Sequence, residues 1–212
     1  GFRAYLGLFS FPTYRLVVAG YVAQTFAMGG FAFWSAKFLY ETHGMQLKAA
    51  DDFFGLALVL TGLTATLAGG FAATWWRRRH PAGYAWVLAL SALAAVPAAF
   101  AAFMLGDLTL AKAALAATMF FLFLSTGPVN TLILESVPVA MRASAMAASI
   151  FLIHAFGDLP SFNIVGLLSD HLGGLKKAML ILPVALVVSA ALWLWLAVRT
   201  QRAACPAGQG RG

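Results

Sequence analysis

The sequence predicts an all-α membrane protein of six transmembrane helices, and three observations predict it. Of 212 residues, 62% are hydrophobic and 10% charged, against roughly 45–50% and 25% in soluble domains. The apolar residues gather into six stretches of about 20 residues or more, the length that crosses a bilayer core. The basic residues sit at the ends of those stretches. The net charge of +7 is thus spread as membrane flanks are, and nucleic acid is not an expected partner. One cysteine, Cys205, excludes a disulfide framework and a Cys-based metal site. No cofactor or metal is expected. No cleavable leader is expected, and because Gly1 is not an initiator Met the chain is expected to be a processed or excised piece of a longer protein.

In order, residues 1–13 form a short amphipathic lead with Arg3 and Pro12, read as a cytoplasmic linker. The six-helix bundle occupies 14–199, with spans at Tyr14–Leu39, Phe53–Trp76, Gly83–Leu105, Leu110–Val137, Ala143–Leu168 and Lys177–Val198. Residues 200–212 are expected to be a disordered cytoplasmic tail. An even number of spans returns both ends to one side. All nine arginines (Arg3, Arg15, Arg77, Arg78, Arg79, Arg142, Arg199, Arg202, Arg211) fall on that side, and all five lysines (Lys37, Lys48, Lys112, Lys176, Lys177) on the other. The positive-inside rule then puts both termini in the cytoplasm, with a bacterial inner membrane as the expected location.

Polar residues divide the spans unequally. The third and sixth hold little beyond Ser91 and Ser189 and are expected to be outer, lipid-facing helices, with Trp193 and Trp195 in the cytoplasmic aromatic belt. The first carries Gln24, Thr25 and Ser35; the fourth Thr118, Ser125, Thr126, Asn130, Thr131 and Glu135; the fifth His154, Asp158, Ser161 and Asn163. These three, with the second, are expected to surround a polar space. Each triplet thus runs two polar helices and then an apolar one. Such a 3+3 inverted repeat builds half of a twelve-helix major facilitator transporter. Gly55, Gly62 and Gly69 recur every seven residues and are expected to form a packing groove.

The stretch with the richest chemistry is Ile153 to Asn163. At 3.6 residues per turn His154 and Asp158 share a face, with Ser161 a turn further on. Ionisable groups at membrane depth are costly and usually face a cavity or bundle interior. An imidazole titrates near physiological pH, so the pair is expected either to couple protons or substrate to transport, or to hold helices together. Gly157 and Pro160 disturb the backbone there, as Gly127-Pro128 does in the fourth span. Asn130, Ser125 and Thr126 beside that break, with Gln24, Thr25 and Ser161, are the expected cavity-lining residues. Glu135 is read as a gate carboxylate for a basic partner across the cleft, or as a snorkelling residue paired with Arg142. Trp75-Trp76-Arg77-Arg78-Arg79-His80 is an interface anchor, or a site for anionic headgroups.

These residues carry a family resemblance. Gly127-Pro128-Val129-Asn130, then Arg142 with the small-residue run ASAMAASI, then HAFGDLPSFNIVGLLSD resemble the spinster family of the major facilitator superfamily, whose pattern runs H-x-x-G-D-x-x-S-P-x-x-x-G-x-x-S-D. His154, Gly157, Asp158, Ser161, Gly166, Ser169 and Asp170 fall in register. The sequence departs in placing Pro160 before the serine and Phe162 after it, and in Glu135 where another polar residue is expected. Ala73 or Thr74 replaces the acidic residue of the loop after the second span. The resemblance implies export or exchange of lipid-like anions such as lysophospholipids or sphingoid phosphates, proton-driven in some members. It also implies that this is the C-terminal half, partnered by an N-terminal six-helix half.

The expected function is therefore that of half a secondary active transporter moving an amphipathic solute by alternating access, with protons, membrane lipids and the other half as partners. A proton-coupled drug or metabolite carrier is the alternative within transport. A non-transporting scaffold or assembly subunit is the alternative outside it. An enzyme is not expected, since the sequence shows no nucleophile elbow and no P-loop.

Overall fold

A computed structural model describes residues 6–204; Arg3, Cys205, Arg211 and the tail beyond Ala204 lie outside them. Six helical spans follow one another at Pro12–His43, Leu47–Arg77, Gly83–Met104, Leu108–Glu135, Val139–Leu172 and Leu175–Ala204, all long and apolar enough to cross a membrane. The chain is an integral membrane protein of six spans.

Local chemistry sets the ends and interruptions. Pro12 opens the first span at a position where its missing N–H costs nothing. Gly44, at φ 67°, closes that span in the left-handed conformation. Asp107 caps the fourth by accepting the Leu110 N–H at 2.8 Å. That span breaks at Ser125 into Leu108–Leu124 and Thr126–Glu135, where Pro128 has no N–H to offer the Leu124 carbonyl. The sixth begins with a short turn, Leu175–Ala178, and continues as Ile181–Ala204. Residues 200–204, expected to be disordered, extend this helix, and Thr200 returns its hydroxyl to the Leu196 carbonyl at 2.8 Å.

The packing follows the two triplets. The third and sixth spans pack on each other; the sixth also packs on the first, as the third does on the fourth. The fifth lies against the first, as the second lies against the fourth. Exchanging the triplets maps the third–sixth contact onto itself and the other contacts onto one another in pairs, as an inverted 3+3 repeat requires.

The third and sixth spans each bury one face within this half and expose another, with Leu90, Leu93, Val184, Val187 and Val188 open. About half of each apolar stretch is buried, against 22% and 17% for the second and fifth. The buried face of the third is a row of small residues, including Ala85, Ala89, Ala92, Ala95, Ala99 and Ala102. Lipid tails are as apolar as leucine, so close packing of small side chains, rather than hydrophobicity, draws helices together in a bilayer. Trp193 is likewise no belt residue. It is fully buried over Gly20 and donates from Nε1 to the Val17 carbonyl at 3.3 Å. Trp195 is exposed.

The heptad of glycines serves at one end only. A methyl at Gly69 would run into the Leu124 carbonyl, Gly62 meets the Phe123 ring at ordinary distance, and Gly55 faces open space.

Candidate functional site

The fifth span changes pitch at its centre. Arg142–Ile153 is α-helical, His154–Asp158 forms a π turn, and Leu159–Leu172 resumes the α-helix. Pro160 accounts for this. In an unbroken α-helix its ring would press on the Phe156 carbonyl and leave it without an N–H. The wider turn instead sends the Leu159 N–H to the His154 carbonyl. Such single π turns are rare and recur at functional sites. The sequence signals the disturbance through Gly157 and Pro160 but not its form.

The π turn fixes the two ionisable groups. His154 Nδ1 lies 2.8 Å from Asp158 Oδ2. The other carboxylate oxygen accepts the Leu159 N–H at 2.9 Å, so Asp158 caps the following helix at its positive end. The Asp158 carbonyl accepts the Ser161 hydroxyl at 2.7 Å. The His154 side chain is 56% exposed and that of Asp158 27%, with Phe151, Phe156 and Leu159 exposed around them. The pair is thus held rigidly by its own helix yet open at the surface of the half. The second imidazole nitrogen makes no hydrogen bond among the described residues.

Behind the pair the backbone presses against the first span. A methyl at Gly29 would come to 2.5 Å from Asp158 Cβ, and one at Gly157 would strike the Thr25 hydroxyl. Two glycines therefore let the helices meet with almost no side chain between them. Trp34 Nε1 donates to the Phe162 carbonyl at 3.2 Å one turn on, and Phe33 stacks on Phe162 at 5.1 Å.

The expected cavity-lining residues divide. Gln24, Thr25, Ser125 and Ser161 are buried between helices and line no open space within this half. Gln24 Nε2 donates to the Leu122 carbonyl at 2.8 Å and to Ser125 Oγ at 2.6 Å. It thereby mends the break in the fourth span, where Ser125 also donates to Leu122. Thr25 bonds back to the Tyr21 carbonyl at 2.9 Å. Short polar side chains beside a backbone break find partners in the adjoining helix before they find water. Thr126 and Asn130 are half-buried and make no side-chain hydrogen bond among the described residues.

Glu135 ends the fourth span exposed, with no ion pair among the described residues. Arg142 is not its partner. Its Nε donates to the Leu134 carbonyl at 2.9 Å, closing the helix end as a cation at a C-terminus does.

No protein-family model matches the chain. Among curated proteins it is 34% identical over 176 residues to an Arabidopsis thaliana protein described as "Probable sphingolipid transporter spinster homolog 3", covering 83% of this chain and 34% of that protein. It is 30% identical to an "MFS-type efflux pump" of Mycolicibacterium smegmatis, covering 88% of this chain and 44% of the relative. It is 29% identical over 166 residues to the mouse "Protein spinster homolog 3", covering 72% and 32%. The chain therefore spans about a third to under half the length of these relatives. The fold matches a crystal structure of a bacterial homologue of the human lysosomal transporter spinster, inward-facing and unoccupied, with a TM-score of 0.77 and 22% identity. That match takes in 99% of this chain and 52% of the solved one. The relatives named are transporters, not enzymes. With six spans in an inverted 3+3 arrangement, and with homology shared by plant and animal spinster proteins, the chain belongs to the spinster family of the major facilitator superfamily and corresponds to about half of such a transporter.

Proposed function

We propose that this chain is the C-terminal half of a secondary active transporter that moves an amphipathic, lysolipid- or sphingoid-phosphate-like solute by alternating access. His154 and Asp158 are its coupling site. The observation that carries this reading is a partly exposed imidazole–carboxylate pair on a π turn at membrane depth, backed by glycines that seat it on the first span. Ionisable groups kept at that depth serve pathways and proton relays. Exposed Phe151 and Phe156 beside the pair suit a ligand with an acyl tail. Thr126, Asn130 and Glu135 supply further polar contacts facing the other half. The arginines at one end of the bundle and lysines at the other support cytoplasmic termini in an inner membrane.

The test is uptake into proteoliposomes by the chain assembled with its six-helix complement, over the range about pH 5 to 8 in which imidazole titrates. His154→Ala is expected to flatten the pH profile and Asp158→Asn to abolish uphill transport. An unchanged rate and profile in both variants would reject the coupling role. The likeness to an efflux pump favours a second reading, a proton-coupled drug or metabolite carrier. Failure of lysolipids to compete for uptake would select it.

A further inference from the structure

We propose that the arginine-rich end of this half holds one anionic phospholipid, headgroup and acyl chain together, in a groove apart from the His154–Asp158 site. Two adjoining cavities make the case. The first, about 320 Å³, is lined by Trp76, His80, Trp86, Leu90 and Gln201, where the second, third and sixth spans converge. The second, about 340 Å³, shares Trp76 and Leu90 with it and runs on between Val87, Ala94, Phe121 and Leu124. The mouth is mostly apolar but carries the polar groups of His80, Trp86 and Gln201, and the continuation is almost wholly apolar, which suits a lipid. Neither cavity takes a residue from the first or fifth span.

The mouth offers donors. The indole Nε1 of Trp86 donates to Gln201 Oε1 at 3.0 Å, and the Gln201 amide N–H groups have no partner among the described residues. His80 Nδ1 accepts the Ala82 N–H at 3.1 Å, so the neutral ring carries its proton on Nε2. The Trp76 and Trp86 rings lie nearly parallel, 13° apart, and wall the opening.

Charge lies around the opening, although no arginine lines it. Arg77, Arg78 and Arg79 stand exposed between two of the lining residues, and Arg79 stacks over Trp75 at 3.6 Å. Arg199 and Arg202 flank Gln201 on the sixth span, and Glu135 is the one carboxylate whose span end falls on this side. A phosphate meets this opening with matching donors and charge, and an acyl chain finds the groove behind it.

Native mass spectrometry of the chain assembled with its six-helix complement, purified in neutral detergent, tests this. The probes are a phosphatidylglycerol, a phosphatidylcholine with the same acyl chains, and inorganic phosphate. One phosphatidylglycerol is expected to be retained at least about tenfold more tightly than the phosphatidylcholine, given the attraction each arginine adds, with phosphate alone not retained. Changing Arg77, Arg78 and Arg79 together to Gln should erase the preference between the two lipids. Ala94→Leu, which fills the groove, should weaken both lipids equally; Ala72→Leu, on the groove's exposed rim, serves if that variant does not fold. Equal retention of the two lipids by the unaltered chain overturns the proposal. Retention of free phosphate would mean a soluble-anion site, and indifference to both groove-filling changes would mean a headgroup contact without a tail; either result also overturns it.

Discussion

The fourth and fifth spans carry the same sequence signal and resolve it in opposite ways. Each is an apolar stretch interrupted by a Gly and a Pro among polar residues. At Ser125 the interruption is closed within the half: Gln24 crosses from the first span to the Leu122 carbonyl, and Gly69 of the second span seats against the Leu124 carbonyl. At His154–Asp158 the first span brings Gly29 and the Thr25 hydroxyl, which lies 3.4 Å from the Ile153 carbonyl at the start of the turn, but nothing that reaches the carboxylate or the imidazole. The polar groups satisfy one another along their own helix and stay open to the surface. A broken transmembrane helix becomes structural when a neighbour occupies the polar side chains at the break. It becomes a candidate site when those side chains are left open.

That contrast can be broken, and the largest effect should come from the open interruption. Asp158→Asn is expected to reduce uphill transport by the assembled protein to background in proteoliposomes. Its melting temperature should move little, since exposed i,i+4 pairs contribute only about 0.3–0.5 kcal/mol. Next comes the closed interruption. Gly69→Leu drives a side chain into the Leu124 carbonyl and should cost about 1–3 kcal/mol or more by thermal unfolding in detergent. Gly55→Leu, facing open space, should stay within about 0.5 kcal/mol of the parent. Gln24→Ala should destabilise by about 0.6–2 kcal/mol and leave the pH profile of transport intact. If it shifted that profile as His154→Ala does, the two breaks would not differ in kind. The smallest effect is at the end of the fourth span. Arg142→Ala should lose about 0.3–1 kcal/mol as a C-terminal cation, and Glu135→Gln should lose nothing measurable, because the arginine serves the Leu134 carbonyl instead.

Much of this was legible in the residues. Apolar run length set six spans, and the observed helices extend four of the expected ones by several residues because cap geometry, not hydropathy, ends them. The four-residue spacing of His154 and Asp158 put them on one face, and the register of seven residues around them pointed to the family. Burial was not legible from hydropathy. The third and sixth spans are the most apolar and yet each buries a face within the half, because an alanine row packs on a helix while a leucine row suits lipid equally well. The row from Ala85 to Ala102 held that signal; polarity did not. The π turn was foreshadowed by Pro160 but unspecified, since a proline can kink, cap or widen a helix depending on what lies opposite. What lies opposite is Gly29, 129 positions away from Asp158, and no local pattern links the two.

The glycine seam between the first and fifth spans has a mechanical result. Side chains at a helix crossing can change rotamer and soak up a small displacement; bare backbone cannot. Were the proposed proton step to displace the turn, the first span would be displaced with it at Gly29, where Asp158 Cβ sits against bare backbone. A change a few atoms wide would then be passed on as motion of two whole helices.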